Sequence, residues 1–110
     1  MKKPLRGLLV EDSEDDAALL CRELARCGYA PASLRVETAE ELAAALKAHA
    51  WDLVLCDYTL PTLDAPAGLR LVQASGLDIP FVIVSGTIGE EKAVESMRAG
   101  AHDFILKDHL

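Results

Sequence analysis

Directly after the apolar run Leu8–Val10 come Glu11, Asp12, Ser13, Glu14, Asp15 and Asp16. Carboxylates crowded at the end of a buried strand repel one another and lose hydration. A helix N-terminus accounts for acids in its first turn. A divalent cation accounts for the pair Glu11-Asp12 at the strand end. Other apolar runs also close on polar groups: Leu53-Val-Leu-Cys56 on Asp57, Phe81-Val-Ile-Val84 on Ser85, and Phe104-Ile-Leu106 on Lys107. The set is chemically complementary. Two or three carboxylates with few other ligands suit magnesium, which keeps several waters and meets phosphate oxygens. Lys and Ser supply donors to an anion beside that metal. A carboxylate facing both can be a nucleophile toward a phosphoryl group. Each residue also has a plainer reading: Asp after a strand as a turn former or cap, Lys107 as a solvated charge, Ser85 as a cap for the next helix, with Thr87 the better cap.

Elements that could bring these residues together follow from apolar periodicity. Leu5 to Val10 reads as a buried strand. Ser13 caps a helix, with Asp16 as an acidic capping-box partner and Ala17, Leu20, Leu24 and Cys27 at helical spacing before Gly28. Ser33 to Val36 reads as a half-polar strand. Thr38-Ala-Glu-Glu41 is a capping box ahead of Leu42, Ala45, Leu46 and His49. After the strand Leu53–Cys56, a helix runs from about Ala65 to Ala74 with Leu69 and Val72 on one face. After Phe81–Val84, Thr87-Ile-Gly-Glu90 opens a helix with Ala93, Val94 and Met97 inward, closing at Gly100. Phe104–Leu106 is the last strand. Continuous apolar strands alternating with amphipathic helices imply a doubly wound parallel sheet covered on both faces. Such sheets bind ligands in a crevice at the carboxyl ends of their strands.

A chain of 110 residues, half of them hydrophobic, fits one domain and one core. A net charge of -7 argues against direct binding to nucleic acid or anionic membrane. No apolar stretch is long enough to span a bilayer or serve as a secretory signal, so a cytoplasmic location is expected. Cys21, Cys27 and Cys56 lack metal or disulfide spacing and read as buried free thiols. His49, His102 and His109 are scattered.

The strand-end motifs carry a family resemblance. Glu11-Asp12, Asp57 in "VLCDYTLP", Ser85 in "VIVSGT" and "AGAHDFILK" ending on Lys107 resemble the receiver domains of bacterial two-component response regulators, over nearly the whole chain. The stretch "SGTIGEEKAVESMRAGAHDFILKD" is most similar to receivers at the N-terminus of multidomain sensor and hybrid signalling proteins. The resemblance implies a flavodoxin-like sheet of order 2-1-3-4-5. It implies that Asp57 accepts a phosphoryl group from a histidine kinase or phosphotransfer protein. It implies that Mg2+ is held by Asp12, Asp57 and the Thr59 carbonyl, with Glu11 ligating directly or through water. Lys107 and Ser85 would contact phosphoryl oxygens, and Ser85 with Phe104 would form a conformational switch controlling a downstream module. Phe104 reads equally as a plain core residue. Such a domain is a phosphoacceptor rather than an enzyme, apart from weak hydrolysis of its own phosphoryl group, and a homodimer fits the family.

The chain departs from the family pattern at "PTLDAPAGL", at Asp108 where Pro is usual, and at the fifth helix, which residues 1–110 lack. The sequence is therefore expected to be a receiver fragment ending just after strand five. Apolar surface near Ile105 and the Leu20/Leu24 flank would then lie open. The Lys107–Asp108 bond is expected to be trans, because a cis bond before a non-proline costs about 2.5–4 kcal/mol. An aspartate-nucleophile phosphatase would want a second acid where Thr59 stands. A nucleotide-binding domain would want a glycine-rich phosphate loop, the opposite of "VEDSED". A degenerate receiver serving only as an interaction or dimerisation module is the remaining alternative.

Overall fold

Alternating strands and helices give β1 (Lys3–Val10), α1 (Glu14–Arg26), β2 (Tyr29–Val36), α2 (Ala39–Ala48), β3 (Leu53–Asp57), α3 (Ala65–Ala74), β4 (Phe81–Ser85), α4 (Glu90–Ala99) and β5 (Asp103–Leu106). The computed structural model describes residues 2–86 and 90–107. The expected Thr87 cap and the expected trans bond at Lys107–Asp108 lie outside the described residues. The strands form one sheet in the order β2-β1-β3-β4-β5, all parallel. No described helix is long and apolar enough to cross a membrane.

Local chemistry sets the boundaries. Ser13, Thr38 and Asp64 are N-caps whose side chains accept from the backbone N–H three residues on, which satisfies a donor the helix itself leaves open. Asp64 and Pro66 in the first turn start α3 at the expected residue despite the unusual "PTLDAPAGL". Gly28, at φ 98, turns the chain out of α1 in a conformation other residues resist. At the end of α2 the Trp51 indole donates to the Ala45 carbonyl at 2.9 Å.

β2 starts four residues earlier than its apolar pattern suggests, and it contains Pro31. The backbone explains why proline fits. Gly28 O accepts from Lys3 N and Val36 O accepts from Glu11 N. Even-numbered residues of β2 therefore turn their backbone groups toward β1, and Pro31 turns its nitrogen outward. On an edge strand that position needs no donor.

Side chains split into two unequal cores. The larger, under α2 and α3, holds Leu8, Val10, Val54, Cys56, Phe81 and Ile83 with Leu42, Leu69 and Val72. The smaller holds Leu9, Leu55 and Val84 with Ala17 and Leu20. Its only described helix is α1, so Leu24, Leu53 and Val82 stay half-buried. At the flank expected to lie open, Leu24 and Ile105 are half-buried and Leu20 is buried.

Two sequence expectations fail. Val94 and Met97 do not face inward: they are 48% and 42% exposed, and Ser96 is buried instead. Ser96 is tolerated there because its hydroxyl donates to the Lys92 carbonyl at 2.8 Å, which removes the penalty of burying it. The thiols are not uniformly buried either, since Cys27 is exposed, Cys21 half-buried and only Cys56 buried.

The unequal cores predict unequal sensitivity. Phe81→Ala should lose about 3–5 kcal/mol. Its neighbour Val82→Ala, on the thinly covered side, should lose about 1 kcal/mol or less. Urea midpoints of the two variants at an unchanged m-value check this, and equal losses would contradict the asymmetry.

Candidate functional site

Strand register brings the polar ends together. Val10 pairs with Cys56, so Glu11 follows beside Asp57. Asp57 pairs with Val84, and Val84 with Ile105. Side chains alternate along a strand, so Glu11 and Asp57 lie on the α1 side of the sheet with Val84 and Ile105. Lys107, two residues past Ile105, reaches the same side.

Glu11 is held at every polar group. Its N–H donates to Val36 O at 3.0 Å. Its carbonyl accepts from Arg35 Nη1 at 3.2 Å. Its Oε1 accepts from Ser13 N at 3.1 Å. Its Oε2 lies 3.1 Å from Lys107 Nζ, out of line for a directed hydrogen bond, so that contact is an ion pair. With the residue only 1% exposed, burial pushes its carboxyl above the ordinary glutamate value. The Ser13 N–H and Lys107 oppose that shift, and the charge of Asp57 adds to it.

Lys107 is shared. Its Nζ donates to Asp16 Oδ2 at 2.7 Å and to Asp57 Oδ2 at 3.2 Å, besides the Glu11 pair. Desolvation pulls the ammonium down, but the hydrogen bond to Asp16, the ion pair with Glu11 and the charge of Asp57 outweigh it and raise its pKa. It stays protonated at neutral pH. Glu11, Asp12 and Asp57 can each place a carboxylate oxygen within 4.8 Å of the others. That geometry, with Glu11 Oε2 lacking a directed hydrogen bond, fits a hard dication with oxygen ligands.

The other residues singled out in the sequence fall around this group. Thr59 is exposed two residues beyond Asp57, in the turn where it bridges Asp64. Ser85 is 7% exposed and pairs with Leu106, the residue before Lys107. Phe104 pairs with Ile83 and packs, half-buried, on the larger core. It is on the face opposite Asp57. Cys56 lies buried beneath the site, and burial first, then Asp57, pushes its thiol up, so it stays neutral.

Two participants escape a sequence reading. Asp16 looked like a capping-box acid, yet Glu11 takes the Ser13 N–H and Asp16 goes to Lys107. Arg35 looked like an ordinary residue of a half-polar strand. It ties the Glu11 carbonyl to Glu37 Oε1 at 2.6 Å and Glu14 Oε1 at 3.3 Å. No local signal marks Arg35. For Asp16 the only hint is an acid one helical turn past Asp12.

Known proteins resemble this chain in sequence and in fold. Residues 8–109 match the family model described as the response regulator receiver domain. The swarming motility regulation protein RssB of Serratia marcescens is 35% identical over 91% of this chain and 45% of its own. The chain thus spans less than half the length of that relative. A response regulator from Hahella chejuensis superposes with a TM-score of 0.80 at 27% identity, covering 96% of this chain and 81% of that one. The receiver domain of the sensor histidine kinase PA1611 from Pseudomonas aeruginosa, solved with a magnesium ion coordinated in its active site cleft, superposes with a TM-score of 0.75 at 22% identity, covering 94% and 85%.

Crowded like charge at the strand ends should weaken the metal-free protein. Glu11→Gln keeps an acceptor for Ser13 N and mimics the protonated acid that burial favours. It should raise stability in a chelating buffer by about 0.5–2 kcal/mol. The linkage sign agrees: with the folded value above the unfolded one, Glu11 removes stability as pH rises through that window, and Gln does not. Thermal melts with and without magnesium check both halves. Wild type should be stabilised by the ion, and Glu11→Gln distinctly less.

Proposed function

The chain belongs to the response regulator receiver domain family, and from that premise we propose that Asp57 accepts a phosphoryl group from a phosphohistidine of a partner kinase or phosphotransfer protein. The observation that carries this reading is the Lys107 ammonium 3.2 Å from Asp57 Oδ2, beside carboxylates of Glu11 and Asp12 that converge with Asp57. Asp57 is the nucleophile because it ends the central strand β3 and its side chain keeps 13% exposure toward the crevice. A carboxylate oxygen attacks phosphorus, the P–N bond breaks with its electron pair left on the imidazole, and a P–O bond makes an acyl phosphate.

Glu11, Asp12, Asp57 and the Thr59 carbonyl would hold Mg2+, as the crevice of the Pseudomonas domain does with its own residues. When bound, the ion supplies positive charge that offsets repulsion between a carboxylate and the incoming phosphoryl oxygens. Lys107 donates to one of those oxygens, and Ser85, two register positions from Phe104's partner Ile83, donates to another. Ser85 and Phe104 then report the phosphorylated state along β4 and β5 by shifting between two arrangements. The output is a downstream module of a longer protein, in keeping with the greater length of the relative from Serratia. The domain itself is a phosphoacceptor with at most weak self-hydrolysis, placed in the cytoplasm.

Intact-mass analysis after incubation with acetyl phosphate and magnesium tests the assignment. Wild type should gain one phosphoryl group and Asp57→Asn none. Lys107→Ala, which loses a charge-assisted hydrogen bond worth about 1.5–3 kcal/mol, should label at least about tenfold more slowly. Labelling of Asp57→Asn equal to wild type would reject Asp57. An unlabelled wild type would favour the interaction-only receiver.

A further inference from the structure

The shortest contact of Lys107 has no part in the proposed transfer. Its Nζ is 2.7 Å from Asp16 Oδ2, nearer than to either Glu11 or Asp57. Asp16 stands outside the group Glu11, Asp12 and Asp57 that fits a metal. It sits in the first turn of α1, where Ser13 Oγ fixes its backbone N–H at 3.2 Å. A capping box would turn its carboxylate back onto the Ser13 N–H. Glu11 Oε1 already accepts that N–H, which releases Asp16 for the ammonium. Its side chain is 36% exposed, so the bond can be exchanged for water at little penalty.

Resting on the phosphoacceptor reading, we propose that Asp16 is a positioning residue that competes with the phosphoryl group for Lys107. Before transfer, the ammonium is divided among Asp16, Asp57 and Glu11. After transfer, phosphoryl oxygens carry more negative charge than the carboxylate oxygen they join, and Lys107 turns toward them. The tie to Asp16 must then lengthen or break, so its strength opposes the hold on the phosphoryl group. The charge of Asp16 acts in the same direction, because it repels phosphoryl oxygens gathered at the same ammonium. Asp16 thereby limits how fully the phosphorylated arrangement is populated, while keeping Lys107 over Asp57 in the resting domain.

Beryllium fluoride, a phosphoryl mimic, titrated into the whole chain at saturating magnesium by calorimetry, tests this. Asp16→Asn keeps shape and one acceptor but loses the charge. It should bind the mimic about 5–10-fold tighter, the difference between a charged and a neutral hydrogen bond. Asp15→Asn removes the same charge from an exposed neighbour and should shift binding by less than about twofold. Magnesium affinity measured alone should respond alike in both variants, since Lys107 is not a ligand. An Asp16→Asn variant that binds the mimic no tighter than wild type overturns the competition, as does an equal gain in Asp15→Asn. Wild type that fails to bind the mimic overturns the phosphoacceptor reading and this inference together, which separates the two failures.

Discussion

The ammonium of Lys107 is surrounded by the carboxylates of Glu11, Asp16 and Asp57, which arrive from β1, α1 and β3. Asp12 adds a further negative charge next to them. One cation cannot balance that group, and Glu11 is buried almost completely. Everything else at the carboxyl end of the sheet bears on this imbalance. Ser13 N–H and Arg35 act on Glu11 through oriented hydrogen bonds, and Arg35 also neutralises Glu14 and Glu37 at the rim. What stays uncompensated points into the crevice. A site left electrically incomplete in this way is suited to take up a dication and, with it, a phosphoryl group.

Holding such a group in place requires a frame that does not yield. The parallel register supplies it, because shifting any central strand by one residue would send its polar end to the other face. Val10, Cys56 and Ile83 lie side by side in the larger core, and each precedes by one or two residues a group at the site. The packing that resists slippage is thus the packing directly beneath the chemistry. The smaller core is thinner, and Lys107 reaches the site from that side. Glu11 and Asp57 lie on that same α1 face, and the larger core backs the whole group from the other side of the sheet.

Much of this was legible in the sequence, for physical reasons. Strands buried on both faces are written as continuous apolar runs, and Asp57, Ser85 and Lys107 each interrupt such a run at its end. Caps were legible because Ser13 and Thr38 sit beside the first residue of a periodic segment. The start of β2 was not, since an edge strand needs neither apolar alternation nor a full set of donors, and Pro31 conceals it. The orientation of α4 was misread because Val94 and Met97 match a helical period, while the inward position belongs to Ser96, whose hydroxyl is satisfied within its own helix. Asp16 was assigned to the nearest local partner. Its actual partner, Lys107, is 91 residues away, and only the folded sheet makes them neighbours.

The outward nitrogen of Pro31 has a consequence for how this domain meets other proteins. β2 is the sheet's free margin on one side, and unpaired margins invite a foreign strand to extend the sheet. An incoming strand would find a missing donor midway along β2 and a rigid ring where it needs to approach. Growth into a ribbon, and the aggregation that follows from it, is blocked at that margin by a single residue. A partner meeting this margin must therefore recognise side chains instead of adding a strand, which leaves β5 as the sheet's other edge.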